Sequence, residues 1–221
     1  MGEGIQTIGR AARKTDRSYL HDTESGMNRQ EAFKVSQLEA KIRNRKTEKG
    51  YVVGSNGEII AESVSGNASS AKFLIRDLAK TKDAILTHNH PTEGANSGLH
   101  GTMAGRIGVP FSPQDIRNAV KYDQKEVRAV TPTYTYSIRR PKGGWGDKQK
   151  IFSELNALDA TYSGRINAYA FSTAANAKRQ GNLTRQRAQE ISDRANVGIQ
   201  FSAIKKLAKD NGMTFTRRKI K

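Results

Sequence analysis

The chain of 221 residues contains no cysteine. Disulfides, thiolate metal sites and cysteine nucleophiles are excluded together, which fits a reducing compartment. Apolar residues are sparse, at 35%, and mean hydropathy is −0.72. The expectation is one modest core with polar segments around it. No apolar run approaches the roughly 20 residues of a membrane span. The first residues, "MGEGIQTIGRAARK", lack the apolar stretch of a secretory signal. Gln6 also stands where a myristoylation site wants Ser or Thr. These absences predict a soluble, unprocessed chain with no membrane partner. Acidic side chains are the other shortage: 21 against 38 Lys and Arg, for a net charge of +17. That surplus favours nucleic acid, an anionic surface or an acidic protein as partner. The length suits one domain plus extensions, or two small domains.

What is present falls into three stretches. Residues 1–45 read as a polar arm running into an amphipathic helix, with Asn28 as N-cap and Phe33, Leu38 and Ile42 near helical spacing. Residues 46–145 alternate short strands and helices. "EKGYVVGSNGEIIAESVSG" predicts a hairpin about Asn56-Gly57, with strands near 50–54 and 58–64. "SAKFLIRDLAKTK" has the spacing of a helix, and "DAILTHNHP" reads as a strand entering a loop. A helix starts at Ser112, and "VRAVTP" with "YTYSIRRP" forms a second strand pair. Residues 146–221 are Ala-rich and basic and read as a mainly helical extension. From 139 onward, 18 Lys and Arg face 6 Asp and Glu.

"DAILTHNHPTEG" carries half of the four histidines in the chain. On an extended strand, residues i and i+2 share a face, and Pro91 biases His90 to extended backbone. Both imidazoles can then face one cation. A catalytic zinc site needs a third protein ligand and an open position. "FSPQDI" offers Asp115. Ser at the N-cap, Pro at N1 and an acid at N3 also make a helix-capping box. Ligand and cap are competing roles for that carboxylate.

"THNHP" followed by "SPQD" resembles the His-x-His-Pro and Ser-x-x-Asp signature of the JAMM/MPN metalloproteases. The resemblance covers roughly residues 45–145. It implies an α/β fold with a curved mixed sheet flanked by helices, here extended by the N-terminal helical arm and the basic C-terminal helices. It implies one zinc ion held by His88, His90 and Asp115, and an oxyanion stabilised by Ser112. It implies a glutamate on an upstream strand as general acid/base: Glu48 is the best-placed match, with Glu58 and Glu62 as alternatives. Twenty residues separate Pro91 from Ser112, where the family has about six. This Gly-rich insertion is read as a flap, with His100 a flap residue rather than a ligand. "EVRAVTPTYTYSIRRPKGGWG" is similar to JAMM-like domains of tailed-phage virion proteins. The implied activity is amide-bond hydrolysis on a protein or peptide substrate, in a virion or in the host cytoplasm. The alternative is a non-catalytic virion or DNA-associated protein on the same fold. The basic C-terminal region would contact nucleic acid or other phage structural proteins. Tyr162, Tyr169, Phe171 and Phe201 are read there as core-facing.

Overall fold

The computed structural model describes residues 26–66, 71–91, 110–160 and 185–220, with single helical positions at 172 and 176. The expectations for residues 1–25, for the insertion at 92–109 with His100, and for Tyr162, Tyr169 and Phe171 lie outside the described residues.

Helix α1 (Arg29–Ile42) opens on a reciprocal cap. The Asn28 side chain accepts from the Glu31 amide at 3.0 Å, and the Glu31 carboxylate accepts from the Asn28 amide at 2.8 Å. Its buried stripe is Glu31, Ala32, Val35, Leu38, Glu39 and Ile42. Those positions recur three and four apart on the face that meets the sheet. Phe33 falls between them and is 47% exposed. Strands β1 (Gly50–Val53) and β2 (Ile59–Glu62) form the expected hairpin, and Gly57 takes the left-handed conformation (φ +78°) that its turn requires. The chain then makes a small separate ribbon, β3 (Ser65–Gly66) with β4 (Ala71–Lys72), before a one-turn helix α2 (Ile75–Leu78). The longer helix expected here is thus cut short. Lys72 O accepts a backbone bond from the Val64 amide at 2.8 Å, and Leu74 is extended (ψ 132°). Pairing with residues 64–66 overrides the apolar spacing.

Strand β5 (Ile85–Asn89) leads through the insertion to α3 (Pro113–Lys121), and β6 (Glu126–Val130) and β7 (Tyr134–Arg139) follow. A further helix, α4, begins at 148 and is described to 160; α5 (Arg185–Asp210) precedes the last strand, β8 (Thr214–Lys219). The six main strands form one mixed sheet in the order β2-β1-β5-β6-β7-β8. Within it, β5–β6 is the parallel pair, and the α3 crossover supplies the long return such a pair needs. The protein is therefore α/β, with a six-stranded mixed sheet flanked by helices. Both flanking stretches are built into it: α1 packs on one face, and β8 from the basic extension pairs along all of β7. The sequence "TFTRRK", expected within a helical tail, is a strand because β7 offers an open edge to its Thr-Phe-Thr alternation.

The two faces differ. Val52, Leu86, Val127, Ala129, Tyr136 and Ile138 belong to the larger core, with residues of α3, α4 and α5. Phe201 packs against that core, half-buried, from α5. Tyr51, Val53 and Ile85 face α1. The α1 side also buries charge: Arg128, Glu39 and Glu126 are each at most 3% exposed. No helix among the described residues is long and apolar enough to cross a membrane.

Candidate metal centre

The site grows from the end of β5. His88 pairs with Ala129 in the parallel ladder, and the His90 amide continues it by donating to Val130 O at 2.9 Å. The chain is therefore still extended at His90, and both rings fall on the face that carries the larger core. Their Nε2 atoms are 2.9 Å apart. On the other side, β1 runs antiparallel with Gly50 opposite His88. The Asn89 amide donates to Lys49 O at 3.1 Å, so the register carries on and sets Glu48 across from His90. Glu48 is 8% exposed. Ligand atoms of Glu48, His88 and His90 lie within 4.8 Å of one another, a grouping able to hold a metal ion.

Asp115 enters from the first turn of α3. His88 Nε2 is 3.5 Å from its Oδ1, and His90 Nε2 is 3.7 Å from its Oδ2. Ligands at zinc–nitrogen distance sit about 3.3–3.4 Å apart on the corners of a tetrahedron. The separations of 2.9, 3.5 and 3.7 Å straddle that length. The capping box is formed as well: Asp115 Oδ2 accepts from the Ser112 amide and hydroxyl, both at 2.8 Å, and Ser112 Oγ accepts from the Asp115 amide at 3.2 Å. Ligand and cap are thus compatible roles. Oδ2 closes the helix start, while Oδ1 is directed at His88. The Ser112 hydroxyl hydrogen is directed at Asp115.

The charges are arranged for a cation. Burial works against a charged His88 ring, but the Asp115 carboxylate beside it, with help from Glu48, outweighs burial and pushes the ring up to about 9. Burial likewise opposes the Asp115 carboxylate, yet the two imidazoles hold its carboxyl well below the usual range. Burial pushes Glu48 up, and the imidazoles only partly offset this. Without an ion the carboxylates favour a proton on His88, and a bound cation would release it. Two imidazoles with carboxylates and no sulfur suit a divalent first-row ion.

The other two glutamates are engaged elsewhere. Glu58 accepts from the Asn56 amide at 2.9 Å within the hairpin, and Glu62 pairs with Lys49 at 2.5 Å. Glu48 has the Ala71 backbone N–H as a donor instead. Two supports of the site are not among its candidate ligands. One is Gly50, where a Cβ would lie 2.7 Å from Phe73 Cζ and 3.3 Å from His88 Cβ. Gly50→Ala is expected to cost about 1–3 kcal/mol, by displacing Phe73 from its packing. A thermal melt that matches the parent would show that the ring moves freely. The other is Asn89, between the histidines but facing away from them. Strand parity hides it from any search for ligands.

Comparison of the chain with protein-family models, with curated proteins and with solved structures returns no match.

Proposed function

We propose that the protein is a zinc-dependent peptidase or isopeptidase of the JAMM/MPN kind, working in a tailed-phage setting. The observation that carries this reading is the convergence of His88, His90, Asp115 and Glu48, drawn from the end of β5, from α3 and from the segment before β1. His88, His90 and Asp115 would hold the ion, leaving Glu48 free for proton transfer. A bound zinc would polarise the scissile carbonyl and acidify a water molecule. Glu48 takes a proton from the attacking water and passes it to the leaving nitrogen. Its upward shift brings its carboxyl closer to the neutral range, where such transfers are efficient. The Ser112 hydroxyl turns from Asp115 to the developing oxyanion, a contact worth about 2.7–4 kcal/mol in comparable sites.

Metal analysis tests the ligand set. The purified protein is expected to carry one zinc per chain, and Asp115→Ala to lose most of it on dialysis. Full occupancy in that variant would leave Asp115 as a helix cap alone.

A second reading, a non-catalytic virion or DNA-associated component, draws on charge. The basic excess of 139–221 includes Arg217, Arg218 and Lys219 in succession on the outermost strand of the sheet. A protein in that role alone has no zinc-dependent hydrolysis for a Glu48 substitution to abolish.

A further inference from the structure

Glu48 lies in the stretch between α1 and β1, outside any regular element. Its carboxylate must nevertheless meet the histidine pair with a fixed approach. Regular sheet pairing begins at Gly50, and one further backbone bond, from the Asn89 amide to Lys49 O, extends it, so residues 45–48 need other support. Asn89 does this with both ends of its side chain. Its Oδ1 accepts from the Lys49 amide at 2.7 Å. Its Nδ2 donates to Thr47 O at 3.2 Å and to Arg45 O at 3.3 Å. Asn89 is fully buried. These bonds bracket Glu48, gripping the backbone at the residue before it and the residue after it. Odd and even positions of β5 therefore divide the labour: His88 and His90 face the cation, and the residue between them reaches through the other face to fix the glutamate.

We infer that Asn89 is the positioning residue for Glu48, setting the angle at which that carboxylate approaches the metal centre. The inference rests on the reading of the histidine pair as a metal site, with Glu48 beside it. A purely structural role for Asn89 is the rival, since buried backbone groups must find partners whatever their function. The two differ in whether the effect of Asn89 passes through Glu48.

The experiment is a double-mutant cycle of Asn89→Ala and Glu48→Gln on the intact chain, read by zinc affinity in chelator competition. A supporting group near a metal is worth about 10–100-fold in affinity or activity. Glu48→Gln is expected to weaken zinc toward the low end of that range through its lost charge. Asn89→Ala is expected to weaken it by no more than this, and to add nothing in the Glu48→Gln background. Equal losses from Asn89→Ala in both backgrounds, or no loss in either, overturn the inference. If Asn89→Ala does not fold, Asn89→Ser, which retains one hydroxyl in the clamp, is run through the same cycle. The hydrolase reading fails separately. A parent that cleaves no peptide but shows the coupling in zinc affinity leaves Asn89 as a positioning residue of a metal site without that activity.

Discussion

On the proposed reading, Glu48→Gln is expected to keep its zinc and to lose hydrolysis, by about 10²–10⁴-fold if the carboxylate is the general acid/base. The substitution is nearly isosteric, so the bracket from Asn89 and the amide of Ala71 are retained. What disappears is the capacity to accept a proton. His88, His90 and Asp115 are untouched, so the proposed ion is expected to stay bound at working concentrations even with its affinity lowered. Activity is measured on a mixed peptide library, with zinc content determined on the same preparation. A variant that cleaves as fast as the parent places the base elsewhere. A variant that loses the zinc outright makes Glu48 a ligand in its own right, in keeping with its position within 4.8 Å of both imidazoles.

Arg128→Met is expected to remove about 3–5 kcal/mol of folding stability, because it strands two buried carboxylates. Arg128 Nε is 2.6 Å from Glu39 Oε1, and its Nη1 is 2.7 Å from Glu126 Oε1. The Thr87 hydroxyl donates to the same Glu39 oxygen at 3.3 Å. A loss of this size is a large share of the roughly 5–15 kcal/mol that holds a typical domain together. It also depends on pH in a defined sense. Burial already pushes Glu126 up, and Arg128 pulls it back. The folded state therefore binds more protons than the unfolded chain between the ordinary glutamate value and the raised one. Stability from this group is greatest at low pH and falls as pH rises through that window. Removing Arg128 raises Glu126 further and widens the window. Urea titrations should thus show a larger deficit for Arg128→Met at about pH 7 than at about pH 5. A deficit independent of pH would mean that the carboxylates reach water once the guanidinium is gone.

Much of the site is legible in the sequence because its signals are local. The caps at Asn28 and Ser112 depend on residues three apart, and the face shared by His88 and His90 depends on residues two apart. The Asn56-Gly57 hairpin needs only its turn. What escapes the sequence depends on distant partners. Ala71–Lys72 has helical spacing but pairs with residues 64–66. Thr214–Lys219 looks like a charged tail until β7 is beside it. Glu39 comes from α1, while Glu126 and Arg128 share one face of β6, and nothing local marks the three as one buried cluster. The double duty of Asp115 is hidden for a different reason: one residue letter does not disclose that two oxygens face different ways. Asn89 is hidden by its neighbours, since a ligand motif directs attention to the flanking histidines.

The late position of β8 has a consequence for how the molecule assembles. Glu48, His88, His90, Ser112 and Asp115 all precede β6, which ends at Val130. Synthesis from the N-terminus therefore delivers every residue of the candidate metal centre before the last strand of the sheet. Until Thr214–Lys219 emerges, β7 presents a bare row of amides and carbonyls to whatever strand comes near. The interval before edge closure is when nascent copies are most prone to pair with one another.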